Sequence, residues 1–110
     1  MPIVHIPPEK GSSIVVINIS GKFDFSTHKD FRETYIHHTQ KGLDFKVDLS
    51  ETEYMDSSAL GMLLMLREYA EENEGKVWIH EPQKDVHKIL QIANFDRFFE
   101  ITQCGSKENE

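Results

Sequence analysis

Hydrophobic and polar positions along the chain fall into segments whose period switches between two and about 3.6. Ile3-Val4-His5-Ile6 alternates weakly and predicts an edge strand that stops at Pro7-Pro8. After a turn at Gly11-Ser12-Ser13, Ile14 to Ile19 is almost continuously apolar and β-branched. That is the pattern of a strand buried on both faces, and Gly21 is expected to end it. Ser26 or Thr27 then caps a helix predicted to run to about Gln40, with Phe31, Tyr35 and His38 on one face and Gly42 as its stop. Phe45, Val47 and Leu49 alternate with Lys46 and Asp48, and the strand-and-turn signal continues to Glu53. A second helix spans about Ser57 to Glu72 and closes before Asn73-Glu74-Gly75. Val77 and Ile79 mark a further strand, ending at Pro82. The spacing of Val86, Ile89, Leu90 and Ala93 predicts a third helix over about Lys84 to Ala93 with those residues inward. Phe98 to Ile101 reads as a short final strand, and Gly105 to Glu110 as a frayed polar tail.

Strands alternating with helices imply crossover connections, hence an α/β fold with a mixed sheet of about four to five strands covered by helices. No repeat, linker or low-complexity segment divides the chain. Its 110 residues suffice for one domain with a single core and no disulfide or metal support. The formal charge of −7 argues against nucleic-acid and anionic-membrane partners, which need clustered cations, and favours a basic protein partner. The longest apolar run, Ala59 to Leu66, is far below the roughly 20 residues of a membrane span. With no secretory pattern at Met1-Pro2-Ile3-Val4-His5 and a single Cys104, a reducing cytoplasmic location is expected. Six histidines show no ligand spacing with Cys or carboxylates, so no metal site is expected.

The chemistry concentrates in Tyr54-Met55-Asp56-Ser57-Ser58-Ala59-Leu60-Gly61-Met62-Leu63-Leu64. A strand signal leads into two adjacent hydroxyls, and a helical pattern follows at once. Asp56, Ser57 and Ser58 therefore fall at a helix N-terminus, where unpaired N–H groups and the positive end of the dipole gather. A phosphate there would be tolerated while adding a charge of roughly −1.5 to −2. The plainer alternative is that Asp56 or Ser57 is only an N-cap. Enzyme templates fit poorly. The serines lack a Gly-x-Ser-x-Gly elbow, and Gly21-Lys22 is too little for a phosphate loop. A phospho-receiver would need an acidic pair after the first long strand, where Gly21-Lys22 stands instead. On the second helix, Leu60, Leu63, Leu66 and Ala70 are expected to face the sheet. Met62, Met65 and Tyr69 form a second apolar stripe beside the serines, suited to an adaptable binding surface if exposed.

Met55-Asp56-Ser57-Ser58-Ala59-Leu60-Gly61 closely resembles the signature of STAS domains, the bacterial anti-sigma factor antagonists. Gly21-Lys22-Phe23-Asp24, with Ser26-Thr27 two residues on, is similar to a second family segment. Pro82, a short amphipathic helix and Asn94-Phe95-Asp96-Arg97-Phe98-Phe99 follow in family order. Ala59 stands where many members carry glycine. The resemblance implies a STAS domain over residues 1–103 and a tail over 104–110. It implies a partner-switching regulator, not an enzyme, with no cofactor of its own. Unphosphorylated, such a protein binds an anti-sigma factor, usually a GHKL-type serine kinase, and frees its sigma factor or another target. The kinase's phosphorylation ends binding and a PP2C-type phosphatase restores it. By motif position the acceptor is Ser57, with Ser58 second. Asp56 shapes the acceptor turn, and Asp24 lines the same end of the domain. A STAS-type binding subunit of another regulatory or lipid-transport assembly, with the serines only structural, is the alternative.

Overall fold

The computed structural model describes residues 3–102. Five strands form one sheet in the order in which the chain makes them: β1 (Ile3–Ile6), β2 (Ile14–Phe23), β3 (Asp44–Met55), β4 (Val77–His80) and β5 (Glu100–Thr102). β1 pairs antiparallel with β2, and the other three neighbouring pairs are parallel. Helices α1 (His28–Glu33), α2 (Ser57–Glu72) and α3 (Lys84–Ile92) make the parallel crossovers. Because right-handed crossovers between strands laid down in sequence all return on one side, the three helices share one face of the sheet. Val15, Ile17, Ile19, Phe45, Val47, Leu49, Val77 and Ile79 point to that face and are buried with Phe31, Leu63, Leu66, Val86 and Leu90 in a single core. Alternate residues, among them Val16, Asn18, Lys46, Asp48, Trp78 and His80, lie on the other face and keep part of their surface in water.

The structure departs from the sequence expectations at five points. β2 is buried on one face, not two, and it does not end at Gly21. Gly21 takes a left-handed φ of 71° within the strand, at a register shift where Gly21 opposes Thr52 and Lys22 opposes Tyr54. That bulge lets pairing continue to Phe23 opposite Met55, lengthening β3 to match. The buried Thr52 hydroxyl donates to the Ile19 carbonyl (2.7 Å) and stabilises this irregular stretch.

The first helix is six residues long rather than reaching Gln40. The Thr34 hydroxyl donates to the Phe31 carbonyl (2.6 Å), the acceptor that the next turn needs, and the Tyr35 amide turns to Arg32 instead (3.2 Å). The last strand starts at Glu100, after a 3₁₀ turn at Phe95–Arg97. Phe98 and Phe99 stay outside it because both amides donate to the Phe95 carbonyl (3.0 and 2.9 Å), and Arg67 also holds Phe98 at two points. The guanidinium lies 5.5 Å from the ring centroid, and its Nε donates to the Phe98 carbonyl (2.9 Å).

Helix α2 is also rotated from the expected orientation. Its buried stripe is Ala59, Met62, Leu63, Leu66 and Ala70, so Met62 belongs to the core and Leu60 sits at its margin. Tyr69 is half-buried. Its hydroxyl donates to the His38 carbonyl (2.7 Å), and its ring lies 5.1 Å from Tyr35. Of the expected second stripe only Met65 faces water. Cys104 and the tail over 104–110 lie outside the described residues. Among the described residues no helix is long and apolar enough to cross a membrane.

Candidate functional site

Two loops meet where β2 and β3 end. The bulged register places Phe23 opposite Met55, so the residues that follow, Asp24 and Asp56, leave adjacent parallel strands at the same edge. The Asp56 amide donates to the Phe23 carbonyl (3.4 Å) and ties the two exits together. Carboxyl ends of parallel strands are where open α/β sheets present their ligating groups.

Each aspartate organises its own loop. Asp24 is extended (φ −139°), and its Oδ1 accepts from the Ser26 amide (3.0 Å) and the Ser26 hydroxyl. The Thr27 hydroxyl donates to the Asp24 carbonyl (2.7 Å) and closes the 3₁₀ turn over Phe25–Thr27. Asp56 is the N-cap of α2: its Oδ1 accepts from the Ala59 amide (3.0 Å) and from the Ser58 hydroxyl (2.6 Å). The Ser58 hydroxyl is the largest cause holding the Asp56 carboxyl below its ordinary value, and the Ala59 and Phe25 amides act in the same direction. The carboxylate is thereby fixed as an anion pointing back over the helix start.

The two serines consequently differ. Ser58 is half-buried and its hydroxyl is already donated to Asp56. Ser57, the first residue of α2, is exposed and carries no such bond. Of the two hydroxyls, the one on Ser57 is accessible to another protein. An anion built there would meet the helix N-terminus favourably, with a fixed carboxylate one residue away.

The structure adds residues that the sequence reading did not single out. Phe25 and Tyr54 are exposed (65% and 50%), although large aromatics are costly to leave in water. Phe25 stands in the Asp24 turn and stacks on His28, with centroids 4.9 Å apart. Tyr54 points outward from the last turn-side residues of β3, opposite Lys22. Tyr54 could have been found from its polar-side position in the β3 alternation; Phe25, in an irregular turn, carried no periodic signal. Further along α2, Leu64 and Met65 are exposed (38% and 56%). Asp24, Asp56, Ser57 and Ser58 are thus gathered at one edge and Met65 lies two turns along α2, whereas Met62 and Tyr69 are taken up by packing. Among the described residues no group of three or more His, Cys, Asp and Glu converges as a metal site.

Comparison with known proteins agrees with this architecture. A family profile described as "Mlab, STAS domain" matches residues 8–103, and the chain belongs to that family. A STAS-domain containing protein of Pseudomonas aeruginosa is 39% identical over 102 residues, spanning 93% of this chain and all of that one. The anti-sigma-B factor antagonist of Bacillus subtilis is 18% identical over 99 residues, 90% of this chain and 91% of its own length. Among solved structures, the anti-sigma factor antagonist SpoIIAA in its unphosphorylated form shares the fold at a TM-score of 0.76. There the identity is 17%, and 97% of this chain and 93% of that chain are covered.

Proposed function

We propose that this chain is an anti-sigma factor antagonist that works by partner switching, a binding module with no catalysis of its own. The observation that carries the reading is the difference between two adjacent serines. Ser58 is committed to the Asp56 cap, while Ser57 presents a free, exposed hydroxyl at the first position of α2. In the bare form, the surface around Phe25, Tyr54, Asp24 and the start of α2 binds an anti-sigma factor that is also a GHKL-type serine kinase. That binding releases the kinase's sigma factor or other target. Phosphorylation of Ser57 ends binding, and a PP2C-type phosphatase reverses it. ATP belongs to the kinase.

The physics is a docking equilibrium gated by one group. A phosphate adds a charge of roughly −1.5 to −2 inside the footprint, beside the fixed Asp56 carboxylate. A partner that approaches with apolar groups for Phe25 and Tyr54 must then desolvate that charge. Loss of about 1.4 kcal/mol is a tenfold loss of affinity, and an uncompensated charge at a dry contact exceeds it. No change of fold is required.

The test is titration of the kinase partner against three chains. Ser57→Ala should bind like the bare parent and resist release by ATP, and Ser57→Asp should bind at least about tenfold more weakly. Ser58→Ala should bind like the parent and still be released by ATP. Equal affinity of Ser57→Asp and the parent would contradict charge gating.

A further inference from the structure

At the end of the sheet away from the serines, the fold brings together two histidines that are 33 residues apart. His5 projects from edge strand β1, where it pairs with Ile17, and His38 follows the turn after α1. Their Nε2 atoms lie 2.7 Å apart, and the rings meet edge to face with centroids separated by 4.8 Å. His5 is exposed and His38 half-buried, so the gap between the nitrogens is open to solvent.

We propose that His5 and His38 form a two-nitrogen site for a borderline divalent transition-metal ion of the Zn²⁺, Ni²⁺ and Cu²⁺ class, with water completing the coordination. Imidazole is the side-chain ligand that this class of ion prefers. A metal–nitrogen distance of about 2.0–2.1 Å puts two ligands about 2.9–3.4 Å apart, so the rings need to part by about half an ångström. Both are held near that geometry before any ion arrives. The β1–β2 ladder fixes the His5 backbone. The His38 carbonyl accepts from the Tyr69 hydroxyl (2.7 Å), and the His38 ring stands against Phe45, with centroids 6.5 Å apart.

The surroundings of both rings favour the neutral form. Burial, then the facing imidazole, keeps His5 below its ordinary pKa. Burial, then His37, does the same for His38. The two Nε2 atoms share one proton in the hydrogen bond between the rings, and when an ion binds both nitrogens that proton moves to the Nδ1 of its own ring. The nearby His37 is directed elsewhere, with Nε2 3.6 Å from Glu33 Oε1. Three-ligand clusters are absent among the described residues, so this is a modest exchangeable site, not a buried structural one. A bound ion would clamp the edge strand β1, which contributes only Ile3 to the core, onto the segment after α1.

The experiment is calorimetric titration of the untagged full chain with Zn²⁺ and separately with Ni²⁺ at pH 7.5, in the parent and in Cys104→Ser. The expected result is saturable one-to-one binding below about 1 mM metal in both chains. His5→Gln and His38→Gln, which keep a hydrogen-bonding amide at the pair, should each bind at least about tenfold more weakly while melting at the parent's temperature without metal. His87→Ala should bind as the parent does. Metal should raise the melting temperature of the parent and leave both glutamine variants unmoved. No saturation by about 1 mM, or undiminished binding in either glutamine variant, would overturn the proposal.

Discussion

Asp56 carries three duties on one side chain: it caps α2, it engages Ser58, and it ties the Phe25 turn to the helix start. Its folded pKa is depressed, so its contribution to stability is present above the unfolded value of 3.8 and is lost as pH falls through the folded value. Asp56→Asn should lower the melting temperature at pH 7. The gap from the parent should close below pH 3.8, which thermal melts across pH 2–7 would show. Ser57→Asp should melt within about 2 °C of the parent, because an anion at the first helical position is favoured there. Its loss of partner binding is then separable from unfolding. Two glycines make a contrasting pair. A Cβ on Gly75 would lie 1.8 Å from the Leu43 carbonyl oxygen, whereas nothing lies within 4 Å of one on Gly61. Gly75→Ala should cost more than about 2 kcal/mol in urea denaturation, and Gly61→Ala should gain about 0.5–1 kcal/mol as a helix-interior replacement. The Asp56-Ser57-Ser58 cap was legible in the sequence because capping chemistry is local. The division of labour between the serines was not, since it depends on which hydroxyl reaches the carboxylate.

Helix α2 takes its bounds from local signals and its rotation about its own axis from packing. Its bounds, Ser57–Glu72, follow from the apolar run and the cap, and they match the sequence reading. Its buried stripe runs through Ala59 and Met62 rather than Leu60. Alanine contributes too little hydrophobic signal to outweigh leucine in a periodicity argument, although its small side chain lets the helix approach the sheet. Met62→Ala should therefore destabilise by about 2–4 kcal/mol, with Met65→Ala close to neutral in the same denaturation series. Met65→Ala should weaken partner binding instead. The shortness of α1 was hidden for another reason. The apolar spacing of Phe31 and Tyr35 is helical, but Thr34 takes the Phe31 carbonyl with its own hydroxyl, a competition that periodicity cannot register. β2 looked short because Ser20, Gly21 and Lys22 break its apolar run, while the bulge that accommodates them depends on pairing with β3.

At the scale of the molecule, strand order equals chain order, which collects the helices on one face and sets the two loop exits side by side. The α/β class and the strand–helix alternation were readable from hydrophobic period alone. Which face the helices cover, and that Phe25 and Tyr54 stand out beside Ser57, come only from three-dimensional register. The same register separates two ends of the sheet: the proposed serine switch where β2 and β3 end, and the His5–His38 pair beside β1. Because both histidines resist protonation in the folded chain, the unfolded chain takes up protons first, and stability should decline as pH falls below 6.5. His5→Gln should flatten that decline between pH 5 and 7 in thermal melts.

The partner-switching account is tested most directly by intact-mass measurement and phosphosite mapping of the protein purified from its native cells, with and without phosphatase treatment. The account predicts a single phosphate on Ser57 that the phosphatase removes, with Ser58 unmodified. A chain that carries no phosphate under any growth condition, or carries it only on Ser58, would contradict it and leave Ser57 as the first residue of a helix in a constitutive binding module.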